Sequence, residues 1–222
     1  MIHKSTLNPG DNDEMVLARK IVMQKGYYDK LIEAVTDIVA SRSPSVLLDL
    51  GCGEGSLTER LADTVPTVIG MDISKFAINK AASQDKKTRY LVGSISAVPL
   101  ENECVDIIVN CFAPLDSKEA TRVLKSDGVL IKVTPAENHL FELKQEIYPE
   151  PYLNERKDEP KGFAIHEERI IKETVRLSGE YLDSVIKMTP YFYKTPKAYL
   201  ESVKGKIIDS TLEFRISVLT KT

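Results

Sequence analysis

Val46-Leu-Leu-Asp-Leu-Gly-Cys-Gly-Glu-Gly55 decides the fold. Four apolar residues around Asp49 read as a short buried strand, and Gly51, Gly53 and Gly55 follow it at every second position. A strand that stops in a glycine-rich turn lets the backbone come close to a ligand, because no Cβ stands in the way. Asp72 closes a second apolar run, Val68-Ile-Gly-Met-Asp72, where a carboxylate can accept hydrogen bonds from ribose hydroxyls. The pair of segments implies a nucleotide-like cofactor.

The spacing narrows the choice. Dinucleotide-binding turns run G-x-G-x-x-G and aim a helix N-terminus at a pyrophosphate. Here the spacing is G-x-G-x-G, with an aspartate two residues before the first glycine. S-adenosyl-L-methionine (AdoMet) has no phosphate; its turn should offer carbonyls and carboxylates to an amino acid and a sulfonium, and Asp49, Glu54 and Asp72 supply that acidity. These residues resemble motif I of the class I methyltransferases, D-x-G-x-G-x-G. The alternative is a tight turn in some other α/β enzyme.

Composition bounds the rest. At 222 residues, 42% hydrophobic and 28% charged, the chain suits one sizeable α/β domain. No apolar run approaches the roughly 20 residues needed to cross a bilayer, and Met1–Thr6 lacks the apolar core of a signal peptide. The three cysteines, Cys52, Cys104 and Cys111, have no paired metal-ligand spacing and fit a reducing cytoplasm, so no metal is assigned. The net charge of -3 and pI near 5.8 argue against a broadly basic nucleic-acid-binding surface and suit a cytoplasmic enzyme with a small substrate.

Periodicity orders the chain. Asn8–Asp13 is a turn cluster with N-cap candidates, followed by a helix from Glu14 that Gly26 interrupts and a second helix over Tyr28–Ala40. Strands at Val46–Leu50, Val68–Asp72, Tyr90–Gly93, Val105–Asn110 and Val129–Val133 alternate with helices around Leu57–Ala62, after Ser74 and over Ser117–Leu124. Ser126–Gly128 reads as a turn, and Asn138 as the cap of a helix through Lys144. A polar loop runs from Tyr148 to Gly162; then come a strand over Arg169–Leu177, helices over Tyr181–Met188 and Lys197–Val203, and a closing antiparallel strand over Thr211–Leu219. Such alternation argues for a doubly wound sheet with its ligand beyond the carboxyl ends of the strands. The fold class is therefore α/β, a Rossmann-like class I methyltransferase fold of seven strands, mostly parallel with an antiparallel last strand. Residues 1–44 form an N-terminal helical extension and 45–222 the methyltransferase domain.

The flanks carry a narrower resemblance. Pro9-Gly-Asp11, Glu14-Met15, Ala18-Arg19 and Gly26-Tyr-Tyr28 precede the turn; Asp72-Ile-Ser-Lys75, Ala113-Pro114, Thr134-Pro135, His139-Leu140, Glu142-Leu-Lys144 and Met188-Thr-Pro190 follow it. With Leu48–Gly55 these resemble the bacterial 23S ribosomal RNA (guanine-N1)-methyltransferases, a group of housekeeping enzymes and relatives conferring macrolide resistance, tylosin included. The resemblance spans nearly the whole chain. It implies an AdoMet-dependent enzyme that methylates N1 of a guanine in a 23S rRNA hairpin; a homodimer is compatible with it, and membrane association is not expected. Family members usually begin with a zinc module bearing four cysteines, and this sequence starts where that module would end. A small-molecule methyltransferase is the alternative, which the charge and the missing module favour. A non-catalytic AdoMet- or RNA-binding protein is a third reading.

The resemblance adds cofactor contacts at Tyr28, Gly53, Glu54 and His139 to Asp49, Gly51 and Asp72, with Ser94 near the adenine. Tyr28 is otherwise a core aromatic, and His139 otherwise a surface cap. Asn110-Cys-Phe-Ala-Pro114 is not the D/N-P-P-Y/F motif of exocyclic-amine methyltransferases, and Cys111 lacks the Pro-Cys context of a covalent nucleophile. Asp11, Glu14 and Asp116 are candidate bases with none preferred. Tyr191-Phe-Tyr193 is either a base-stacking cluster or core.

Overall fold

A seven-stranded sheet in the order β3-β2-β1-β4-β5-β7-β6 forms the centre of the molecule, whose computed structural model describes residues 10–189 and 191–222. Asn8, Pro9 and Pro190 lie outside the described residues, as does the side chain of Tyr193. The strands are β1 (Val46–Leu50), β2 (Thr67–Asp72), β3 (Arg89–Val92), β4 (Val105–Cys111), β5 (Leu124–Pro135), β6 (Phe163–Ser178) and β7 (Ile207–Lys221). β3, β2, β1, β4 and β5 pair parallel, and β7 runs antiparallel between β5 and β6. The expected seven-stranded class I arrangement is what forms.

The strand sequences explain the layers. A central parallel strand is covered on both faces, so it reads as a continuous apolar run. Leu47, Leu48 and Leu50 of β1 and Ile107, Ile108 and Val109 of β4 are all buried accordingly. Their side chains alternate between two hydrophobic clusters, one on each face of the sheet. Helices α1 (Asp13–Gln24), α2 (Asp29–Ala40), α6 (Phe141–Ile147) and α7 (Gly179–Lys187) contribute to one cluster. α2 does so with a stripe of Leu31, Ile32, Val35, Ile38 and Val39. α5 (Ser117–Val123) contributes Ala120 and Val123 to the other. α1 and α2 thus pack into the same core as β1 and β4.

Helix starts follow capping chemistry. The Asn12 side chain accepts from Met15 N at 2.9 Å at the start of α1. Ser74 accepts from Ala77 N at 3.3 Å to open α4 (Lys75–Gln84). Between Gly55 and Ala62 lies α3 (Ser56–Leu61), while α8 (Tyr191–Lys194) and α9 (Lys197–Ser202) precede β7.

Three local expectations change. Ser126–Gly128 is not a separate turn before a strand: β5 begins at Leu124, which pairs with Val105, and the ladder shifts register before Val129 meets Ile107. β6 starts at Phe163 and pairs with nearly all of β7, far longer than Arg169–Leu177. Ala164, Ile165 and His166 at its start are all exposed, so alternation is weak there. Asn138 does not cap α6. Its amide donates to Glu213, and the helix begins at Phe141 after Leu140, whose φ is 55°.

Strand order reverses between β1 and β4, whose neighbours lie on opposite sides. In an open α/β sheet such a switch point leaves a crevice beyond the carboxyl ends of the strands. The glycine turn after β1 and the Phe112–Pro114 segment after β4 meet there.

Candidate active site

The turn after β1 is tied down from both sides. Gly51 N and Cys52 N donate to Met71 O at 2.7 and 3.1 Å, so the turn is stitched to the end of β2. Gly53 N donates to Asp72 Oδ2 at 3.0 Å, and the other Asp72 oxygen accepts from Ser74 N at 2.8 Å. Gly51, Gly53 and Gly55 all have positive φ. At Gly51 the need is steric as well, because a Cβ there would sit 2.3 Å from the Ala113 Cβ. The donor turn and the segment after β4 are in contact through a position only glycine can fill.

The acidic groups converge as expected. Asp49 is almost wholly buried; Thr58 donates to its Oδ2 at 2.6 Å, while Oδ1 has no partner among the described residues. Burial, opposed by the Thr58 bond and reinforced by Asp72 and Glu54, pushes its pKa up to about 7. Burial likewise raises the pKa of Glu54, which accepts from Ser56 N at the start of α3. Arg19 acts on Glu54, but Asp49 keeps an oxygen without a partner among the described residues. The sulfonium or ammonium of AdoMet would give that oxygen a positive partner, so these residues fit the cofactor.

Tyr28 and His139 reach the same end of the sheet from different elements. Tyr28, at the N-terminus of α2, is 3% exposed, and its ring lies 4.9 Å from that of Phe214 on β7. His139 lies 4.9 Å from the same Phe214 ring, and its Nδ1 accepts from Glu213 N at 3.2 Å. That bond leaves the proton of a neutral ring on Nε2. Burial, then the charge of Lys144, lowers the His139 pKa to about 3, so the ring is neutral at physiological pH. His139 is therefore no surface cap. Ser94 follows β3 beside Asp72, since Gly93 N donates to Asp72 O at 3.0 Å, but its hydroxyl accepts from Ser96 N within its own turn.

The candidate bases are all engaged. Asp11 pairs with Arg19 at 2.5 Å, Glu14 with Lys187 at 3.0 Å, and Asp116 caps α5 by accepting from Lys118 N and Glu119 N. Burial raises the Cys111 pKa, which keeps it a thiol. Tyr191 packs edge-on against Tyr148 at 6.0 Å and is largely buried.

Two residues escaped the sequence reading of the site. Arg19 places Nη1 3.2 Å from where a Gly53 Cβ would be. Burial opposes its charge, yet Asp11 and then Glu54 hold its pKa above the usual value. Its signal was an arginine on the inward stripe of α1, one turn from Met15 and Val22. Phe112 is the second, an exposed aromatic directly after the β4 segment.

A family model described as a methyltransferase domain matches residues 48–132. The chain is similar to a Bacillus subtilis protein named as a candidate 23S rRNA (guanine-N1)-methyltransferase, at 28% identity over 90% of this chain and 76% of that protein. It is also similar to the Streptomyces fradiae 23S rRNA (guanine(748)-N1)-methyltransferase, at 28% identity over 86% of this chain and 72% of that one. A Micromonospora griseorubida relative with a similar name is 33% identical over 60% of this chain, which spans about half of its length. Among solved structures, the YcgJ protein of Bacillus subtilis aligns with a TM-score of 0.57 at 15% identity, over 86% of this chain and 99% of that one. A candidate methyltransferase of Bacillus halodurans aligns with a TM-score of 0.56 at 16% identity, over 85% and 98%. The chain is an AdoMet-dependent methyltransferase of the class I fold. Its cofactor is S-adenosyl-L-methionine. Among the described residues of the methyltransferase, no helix is long and apolar enough to cross a membrane.

Proposed function

We propose that this methyltransferase modifies N1 of a guanine in a 23S rRNA hairpin, with the donor held by Tyr28, Asp49, Gly51, Gly53, Glu54, Asp72, Ser94 and His139. The observation that carries the reading is the reach of the similarity. The Bacillus subtilis and Streptomyces fradiae relatives align over 86–90% of this chain, well beyond the methyltransferase domain at 48–132, while the Micromonospora griseorubida relative aligns over 60%. The segments that carry Tyr28, His139 and the whole of β6 and β7 lie outside that domain.

AdoMet supplies an electrophilic methyl group, and the chain's contribution is placement. An in-line methyl transfer needs the acceptor nitrogen within near-attack distance, and positioning can account for much of the barrier reduction. Ala113 against Gly51 fixes the acceptor side of the crevice to the donor turn. Neutral His139 keeps a second cation away from the sulfonium. Since Asp11, Glu14 and Asp116 are all paired or capping, the reading assigns no general base.

A second reading has its own support. Malonyl-[acyl-carrier protein] O-methyltransferases are also similar, at 27% identity over 60% of this chain for the Pectobacterium atrosepticum protein, and the net charge of -3 suits a small acceptor. Transfer of tritiated methyl from AdoMet to 23S rRNA of a strain deleted for the gene decides between them. Label at one guanine, mapped by primer extension, is expected; label in metabolites with none in RNA would sink the rRNA reading.

A further inference from the structure

Beside the donor turn opens a cavity of about 1050 Å³, walled by the segment after β4, the outer strands and loop 152–160. Phe112 lines it, 42% exposed where every residue of β4 is buried or half-buried, and it carries φ 56°. A bulky non-glycine residue in that region is strained, and such strain persists only where the surroundings enforce it. Here they do. Phe112 N donates to Val133 O at 3.0 Å, and the ring stands edge-on to Tyr28 at 6.1 Å and 5.6 Å from Phe214. Its immediate neighbour Ala113 is the residue that touches Gly51. The strained backbone thus holds an aromatic face out of the core, one residue from the donor turn.

Across the cavity Tyr152 is 47% exposed, and its position is fixed from beneath. Lys144, fully buried on α6, donates to Tyr152 O at 3.1 Å and Asn154 Oδ1 at 2.7 Å, with its ammonium 4.7 Å from the Tyr152 ring. Lys132 also lines the cavity and makes no ion pair among the described residues. The exposed aromatic surface of the lining suits a flat ring, and Lys132 offers a cation to negative charge attached to that ring, in a wall that also carries acids such as Glu137 and Glu159.

We propose that Phe112 is the stacking platform of the acceptor subsite, and that the acceptor it receives is a planar heteroaromatic base carried on a phosphate-bearing chain. The proposal deepens the rRNA reading and rests on it for the phosphate chain; the platform itself requires only a flat ring. Stacking on one face leaves the ring edge, where a nitrogen nucleophile sits, directed along the crevice to the donor turn.

The test uses the full chain with S-adenosylhomocysteine and two probes: guanosine monophosphate, followed by saturation-transfer NMR, and a 23S rRNA hairpin oligonucleotide carrying 2-aminopurine, whose fluorescence is quenched on stacking. Phe112→Tyr is expected to keep both affinities within about twofold. Phe112→Leu, which retains bulk without a π face, and Phe112→Ala are expected to weaken both at least tenfold while AdoMet affinity changes less than twofold. In turnover the loss should appear as a raised KM for acceptor. Unchanged probe affinity in Phe112→Leu and Phe112→Ala overturns the platform, as does failure of both probes to bind the parent. If guanosine monophosphate binds in a Phe112-dependent manner while the hairpin is neither bound nor methylated, the rRNA reading fails and the platform stands. If the hairpin is methylated with KM unmoved by Phe112→Leu, the platform fails and the rRNA reading stands.

Discussion

AdoMet binding should weaken steeply as pH falls below 7, and Asp49 is the reason. In the free protein its carboxyl holds a proton up to about pH 7, because burial and the neighbouring acids Asp72 and Glu54 outweigh the Thr58 bond. A sulfonium or ammonium beside it favours the carboxylate, so binding expels that proton. Below the free-state pKa the observed affinity then falls with a limiting slope of one decade per pH unit. From pH 7 to pH 5 the expected loss is about 50-fold, or about 2.3 kcal/mol. The ligand's α-amino group stays protonated through this window, since such groups titrate near pH 7.7–8.0. His139, at about 3, stays neutral throughout.

Stability of the free protein runs the opposite way. The folded pKa lies above the unfolded value, so the folded state holds the extra proton between about pH 4 and about pH 7. Stability therefore falls as pH rises through that window, by at most about 4 kcal/mol. Isothermal titration calorimetry in buffers of different ionisation enthalpy measures both the affinity and the proton released. Asp49→Asn should give a flat profile near pH 5–7 and a free protein at pH 8 that melts no lower than the parent. A parent profile that is flat between pH 5 and 8, or a slope that survives in Asp49→Asn, refutes the reasoning. Glu54→Gln separates the second raised carboxyl, which contributes in the same direction.

Further outcomes follow from the same geometry. Thr58→Val removes the hydrogen bond that lowers the Asp49 pKa, so the midpoint of AdoMet affinity should move to higher pH in the same titration. Gly51→Ala forces a Cβ to 2.3 Å from Ala113 at φ 85°, and should lower stability by about 2 kcal/mol or more in urea melts and abolish AdoMet binding. Arg19→Met should weaken AdoMet by about tenfold or more yet leave decarboxylated AdoMet unaffected, if the guanidinium by Gly53 meets the ligand carboxylate; equal losses for both ligands count against that role. Lys144→Met keeps the volume but forfeits two hydrogen bonds, costing about 1–3 kcal/mol, and should speed amide exchange in residues 150–158.

The proposed donor half of the site was legible because it is local. Asp49, the three glycines and Asp72 lie at the ends of adjacent strands, so strand periodicity and turn chemistry put them together without knowledge of distant packing. Tyr28 and His139 were harder: nothing in their own segments points to β1, and only the resemblance named them. Phe214, which both rings touch, sits on a strand read correctly but was assigned no role. The proposed acceptor half was illegible for a physical reason. Phe112 gives no periodic signal, since its exposure depends on a positive φ that local sequence does not demand of phenylalanine. Lys144 carries no burial signal in the last turn of its short helix, and only loop 152–154 folding over it makes it a buried cation.

The proposed donor and acceptor walls are built on one hydrogen-bonded unit, which bears on how the enzyme can change specificity. Asn110, fully buried, donates to Leu50 O at 2.8 Å and Pro114 O at 3.2 Å, and so ties the end of β1 to the far side of the Phe112 turn. The Gly51–Ala113 contact closes the same loop from the other side. Methyl transfer needs alignment within a fraction of an ångström, and a unit fixed at both ends supplies it without domain closure. The cavity beyond is a different construction: its wall at residues 152–160 lacks regular structure and is anchored chiefly through Asn154 and Lys144. Asn110→Ala should therefore lower kcat with both substrates still bound, because the alignment loosens. Asn154→Ala should raise the acceptor KM with kcat for bound acceptor retained. Steady-state kinetics on the two variants, with AdoMet affinity as the control, distinguishes them. A kcat defect in Asn154→Ala as large as that in Asn110→Ala would show that loop and turn act as one body.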